Sequence, residues 1–352
     1  MYRRSAAAYD AAARRVLQSG RVVLGPEVDS FERSFAAYVG SRYAVGVASG
    51  TDALELSLRA VGVDHGDEVI TVANAGIPPL AAILACGAQP RFVDVDPLRL
   101  LIDPEQVEGA ITPRTRAVLA VHLYGQLAPV QALATICRAG GIALVEDCAH
   151  AHGLRDAGRH VGRFGAVAGF SFYPTKNLGA FGDGGACVTD DAEVAARLRE
   201  LRVYGTDANG IPRRVGINSR LDELQAAFLS IGLRSLEEQV ERRRHLARIY
   251  TRELAGSRVV PLPRDHDADA FHLYVVRTSS RAEVESDLEA AEIGCKRHYD
   301  PPLHRFAVLT GAPPSPELPH TEAACREVLS LPLHPGLRDE QIVRIAARAG
   351  GR

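Results

Sequence analysis

Between residues 43 and 200, seven short apolar runs alternate with stretches of helical periodicity. The runs are Tyr43–Ala48, Glu68–Ala73, Arg91–Val95, Ala117–Leu123, Ile142–Cys148, Ala166–Phe172 and Ala186–Thr189, and the helical patterns lie near 52–61, 77–86, 104–110, 129–139 and 191–202. A run such as Ile142-Ala143-Leu144-Val145 is apolar on both faces, so a strand built from it must be covered on both sides. Strands that recur between helices meet that need as a mostly parallel sheet with helices on each face. The expected class is α/β.

Beyond the sheet region, a polar, Gly-containing loop at 205–219 leads into a helical stretch over 221–255. A strand is expected at Phe271–Arg277, helices at 281–291, 321–328 and 339–348, and an irregular Pro-rich segment at 299–319. A chain of 352 residues exceeds what one compact core usually carries. The expected division is a large α/β domain over 1–235, with an N-terminal amphipathic helix, and a connecting helix plus smaller C-terminal α+β lobe over 236–352. The 41 basic and 43 acidic residues form no long run of either sign, which argues against a nucleic-acid surface. No apolar run is long enough to span a membrane, and a cytoplasmic setting is expected. The six cysteines carry no C-x-x-C pair and read as reduced core residues.

Only two of the 41 basic residues are lysines. One of them, Lys176, follows the run ending at Phe172, in Ser171-Phe172-Tyr173-Pro174-Thr175-Lys176-Asn177-Leu178-Gly179. Arginine keeps its proton at neutral pH, whereas a buried lysine can lose its proton and become a nucleophilic amine. Asp147 ends the preceding run, and active sites of open parallel sheets lie beyond the carboxyl ends of strands. Lys176 and Asp147 can therefore converge on one crevice. A carboxylate opposite a Schiff-base lysine suits pyridoxal 5′-phosphate (PLP), whose ring nitrogen must stay protonated to withdraw electrons. Ser49-Gly50-Thr51 opens a helix, where free N–H groups can hold a phosphate with hydroxyls from Thr51 and Ser171, although the same triplet is also an ordinary N-cap. His150, His152 and His160 lack a matching Cys or carboxylate spacing, so no metal site is expected.

These segments, together with Arg91–Asp96, Val121–Gln126, Glu146–Gly153, Phe170–Gly185, Gly216–Glu223, Phe271–Tyr274, His298-Tyr299 and Pro302-Leu303-His304, resemble the DegT/DnrJ/EryC1/StrS group of PLP-dependent sugar aminotransferases. The resemblance spans nearly the whole chain. It implies the fold-type I architecture, a mostly parallel seven-stranded sheet, with Lys176 as the catalytic lysine and Asp147 paired with the ring nitrogen. It also implies Gly50, Thr51 and Ser171 at the phosphate, His150 near the phenolic oxygen, and Asn218 reaching the phosphate of a neighbouring subunit in a homodimer with shared sites. Arg220, His298 and Tyr299 are the substrate-binding candidates.

The implied reaction carries an amino group, with L-glutamate as donor, through pyridoxamine 5′-phosphate to a nucleotide-linked keto-deoxysugar. Two alternatives stay open: a keto-cyclitol acceptor, and a regulatory protein that holds PLP without turnover. Relatives in a dehydratase branch replace the lysine by histidine, and this chain keeps Lys176. Relatives also carry a ring-stacking aromatic residue where this chain has Gly76, so either another side chain covers the ring or the pocket is enlarged.

Overall fold

A computed structural model describes residues 2, 5–207, 209–309 and 317–351. All seven apolar runs become strands of one sheet: β1 (Tyr43–Val47), β2 (Glu68–Val72), β3 (Gln89–Val93), β4 (Thr115–Val121), β5 (Ala143–Asp147), β6 (Val167–Ser171) and β7 (Gly185–Thr189). Their order is β1-β7-β6-β5-β4-β2-β3. β7 runs antiparallel to both neighbours and every other pairing is parallel. The expected α/β class and seven-stranded, mostly parallel sheet are thus present.

The helices before and between these strands are α1 (Ala6–Ser19), α2 (Pro26–Val39), α3 (Gly50–Ala60), α4 (Ile77–Ala85), α5 (Pro104–Ala110) and α6 (Val130–Gly140). After the sheet come α7 (Ala192–Leu201), α8 (Glu223–Leu233), α9 (Leu236–Glu253), α10 (Arg281–Ala290), α11 (Pro319–Glu327) and α12 (Asp339–Gly350). On one face of the sheet, Val45, Leu119, Val145 and Val167 pack beneath Leu54, Leu56 and Leu58 of α3. On the other, Phe170 and Phe172 meet Phe31 and Phe35 of α2 edge-on, with ring centroids 5.1–5.3 Å apart. Alternate residues of each strand thus serve opposite cores, which is why the runs are apolar throughout.

Two expectations need correction. The stretch read as one helix over 221–255 is two helices, α8 and α9, broken at Arg234–Ser235. Ser235 precedes Glu237 and Glu238, and acidic residues favour the first turn of a helix, so the chain restarts there. The helix expected over 321–328 ends at Glu327, and Val328–Leu331 is a strand. That strand, β10, pairs antiparallel with β9 (Tyr274–Arg277), which also pairs with β8 (Val260–Pro261). No helix is long and apolar enough to cross a membrane among the described residues.

Candidate active site

β5 and β6 are adjacent and parallel, with Asp147 opposite Gly169, so both chains emerge into the crevice at the carboxyl ends of the strands. Side chains alternate across a strand, and the last two residues of β5 are divided between its faces. Glu146 is fully buried, accepting from the backbone N–H groups of Gly162, Phe164 and Gly165 at 2.8–2.9 Å and lying 3.1 Å from Nε2 of His122. Burial alone would raise its carboxyl, but His122 and those N–H groups hold it below its ordinary value. His122 Nδ1 in turn accepts from the N–H of Ala128. His122, Glu146 and Cys148 lie close enough to suggest a metal cluster, yet the donor atoms of His122 and Glu146 are already committed to hydrogen bonds.

Asp147 projects the other way and is 5% exposed. Its side chain accepts one hydrogen bond among the described residues, from the N–H of Ala149 at 2.9 Å, which leaves Oδ2 available for another donor. Burial raises its pKa, against the pull of Ala149, Lys176 and His122. Lys176 sits one turn beyond β6, where its N–H donates to the carbonyl of Tyr173. Burial lowers its amine from 10.5 to about 8, although Asp147 acts in the opposite sense.

This depression has a measurable consequence for stability. Between pH ~8 and ~10.5 the unfolded chain holds the Lys176 proton that the folded chain has released, so stability rises with pH across that window. Lys176→Met removes the buried charge. Without added ligand, the variant is expected to melt on the order of 2 °C above the parent at pH 7, the gap closing as pH passes through the window. Calorimetry over pH 7–10 checks this, and a lower melting temperature for the variant at pH 7 would refute it.

Lys176, His150, His298 and Tyr299 line one cavity of about 1250 Å³. His150 accepts from the N–H of Tyr124 through Nδ1 (3.2 Å), and burial with neighbouring Lys176 holds it well below its ordinary pKa. A neutral His150 therefore offers an Nε2–H donor to the cavity. His298 lies 2.8 Å from Ser330 Oγ through Nδ1 and is lowered to about 4, chiefly by burial.

Gly50, Thr51 and Ser171 make a separate nook at the start of α3. Ser49 caps the helix through the N–H of Asp52 (3.1 Å), and the N–H groups of the first turn have no intrahelical acceptor. A Cβ on Gly50 would stand 2.5 Å from Cβ of Ser171, so only glycine lets the end of β6 approach this turn. Asn218 and Arg220 are not brought to Lys176. They line a second cleft of about 500 Å³ with Val23, Gly182 and Asp183.

Two cavity residues had no role assigned from sequence. The His272 ring lies against that of His150 with centroids 4.3 Å apart and planes tilted by 36°, and its Nδ1 faces Asn177 Oδ1 at 3.4 Å. It lay inside a recognised motif and gave no separate signal. Arg243 is 5% exposed and donates to the carbonyls of Phe271, His272 and Leu333. Nothing distinguishes it from its neighbours in the run Arg242-Arg243-Arg244. Lys296, the second lysine, is exposed at the cavity wall.

An open α/β sheet with a depressed lysine and a buried carboxylate at the ends of adjacent strands defines a fold-type I transferase. The model of the DegT/DnrJ/EryC1/StrS aminotransferase family matches residues 4–349, and the chain belongs to that family. It is 48% identical over 339 residues to dTDP-3-amino-3,4,6-trideoxy-alpha-D-glucose transaminase of Streptomyces venezuelae, covering 96% of this chain and 89% of that protein. It is 46% identical over 343 residues to the erythromycin biosynthesis sensory transduction protein EryC1 of Saccharopolyspora erythraea, covering 96% and 93% respectively. Among solved structures, S. venezuelae DesV in complex with a ketimine intermediate superposes with a TM-score of 0.95 at 46% identity, covering 99% of this chain and 95% of that one.

Proposed function

We infer that this aminotransferase uses PLP to move an amino group from L-glutamate to a keto carbon of a nucleotide-linked deoxysugar. The observation that carries the reading is the lysine with its amine lowered to about 8, in electrostatic contact with a buried carboxylate that has a free oxygen. The residues present fit the cofactor. Lys176 can attack its aldehyde, Asp147 can hold the proton on its ring nitrogen, and the nook where Gly50 gives way to Ser171 can take its phosphate with the Thr51 hydroxyl. His150, whose Nδ1 accepts from Tyr124, would have its Nε2–H free for the phenolic oxygen.

When bound, PLP supplies an electron sink for the bond that breaks at the amino-acid Cα. Everything else falls to the chain. Lys176, once free, would take the proton from the donor Cα as base in the first half-reaction and give a proton to the acceptor carbon as acid in the reverse one; a pKa near 8 suits both directions. Acceptor binding is assigned to His298 and, from the partner subunit's second cleft, to Arg220, with Asn218 of that cleft meeting the phosphate. Their separation from Lys176 within one subunit supports a homodimer with shared sites. A monomer in sedimentation that still turns over would exclude sharing.

The relatives named as dTDP-aminosugar transaminases support a nucleotide-sugar acceptor. The deciding experiment is the visible absorption of PLP-loaded protein before and after L-glutamate without acceptor. Conversion of the Schiff-base band to a pyridoxamine-type band is expected. A band that glutamate leaves unchanged would overturn the donor and favour the reading without turnover.

A further inference from the structure

Gly76 precedes α4 with extended backbone (φ −67°, ψ 173°). A Cβ built on it would lie 3.4 Å from both Cε1 and Cζ of Tyr299, so the phenol ring rests directly on the glycine. Van der Waals contact at that distance admits a methyl group, and a longer side chain would have to displace the ring. The ring is held there by its flanks. The N–H of Leu303 donates to the carbonyl of Ala73 at 2.8 Å, the Tyr124 hydroxyl donates to the carbonyl of His298 at 2.6 Å, and Arg281 pairs with Asp300 at 2.7 Å. Tyr299 therefore has little freedom to swing away.

Its other surroundings fix what the ring can meet. Tyr299 lines the cavity beside Lys176, and its hydroxyl is raised first by burial and then by the charge of Asp147. An aromatic side chain thus stands in the wall of the cavity that holds Lys176, close enough to Asp147 to feel its charge. A planar ring bonded at one side to Lys176 and held through its nitrogen by Asp147 must cross the space between them. Resting on the PLP reading above, we propose that Tyr299 is the side chain that covers the cofactor ring, and that glycine at position 76 is what makes room for it. This assigns Tyr299 to the cofactor instead of the sugar pocket.

The test is PLP binding to the full chain, read as the dissociation constant and as the circular dichroism induced in the cofactor's visible band. Tyr299→Ala is expected to weaken binding about tenfold and to diminish the induced signal, while Tyr299→Phe stays within about twofold of the parent, because the aromatic face and not the hydroxyl makes the contact. The double variant Gly76→Phe with Tyr299→Ala is expected to recover most of the affinity. Parent-like binding and induced signal in Tyr299→Ala, with only the acceptor KM raised, would overturn the proposal in favour of a sugar contact. An equal loss in Tyr299→Phe would overturn it too. Should Tyr299→Ala fail to fold by far-ultraviolet circular dichroism, the double variant decides, and failure to recover binding counts against the proposal. A parent chain that binds no PLP would instead remove the cofactor reading itself.

Discussion

Lys176→Arg is expected to leave a folded chain with no measurable transamination, a loss of at least about 10³-fold, and Lys176→Ala is expected to match it. Arginine preserves length and positive charge, so it isolates the property that matters. A guanidinium does not deprotonate at neutral pH. The Lys176 amine, lowered to about 8 by burial, holds roughly a tenth of its population as free base under the same conditions, against far less than a hundredth for an ordinary lysine. On the PLP reading, both the attack on the aldehyde and the proton transfer at the donor Cα would need that free base. The variants are to be compared in single turnover with L-glutamate, alongside thermal melts that establish folding. Turnover by the arginine variant above the uncatalysed background would show that the free amine is not required.

How much of this was legible in the sequence depends on where the determining physics lies. The sheet was readable because strands buried on both faces must be apolar throughout, and all seven runs become strands within a few residues of their expected bounds. The break between α8 and α9 was harder to see, since helical periodicity continues across it and the marks are slight: Gly232 in the last turn of α8, and Ser235 ahead of two glutamates. β10 was missed because Val328-Leu329-Ser330-Leu331 follows a helix without a Gly or Pro boundary, and its pairing with Tyr274–Arg277 is long-range. In the site, Lys176 was marked by rarity and Asp147 by its place at a strand end. Position 76 was legible only as a departure, because the side chain that rests on it is Tyr299, brought there from far along the chain. The placing of Asn218 and Arg220 in a second cleft likewise depends on the path of the loop at 205–219.

Asp147→Asn is expected to slow the glutamate half-reaction by about 10²–10³-fold while leaving the fold intact. The change is nearly isosteric, and the amide oxygen can still accept from the N–H of Ala149. What it removes is charge at the free oxygen. On the PLP reading an asparagine could hydrogen-bond the ring nitrogen but would not keep a proton there at neutral pH, so the electron sink that the cofactor would supply is weakened. Stability runs the other way. The pKa of Asp147 is raised by burial, which means that its ionised form costs more in the folded chain than in the unfolded one. Neutralising it should therefore leave the melting temperature of the ligand-free protein unchanged or higher at pH 7. The two readouts together separate a chemical role from a structural one. A variant that melts markedly lower would mean that the carboxylate is part of the fold at the end of β5, and parent-like half-reaction rates would mean that some other group holds the proton. A slow, well-folded variant whose rate no longer falls as pH is lowered through the parent's acid limb would identify that limb with the protonation of Asp147, since a carboxyl with a raised pKa loses its charge at a higher pH than an ordinary one.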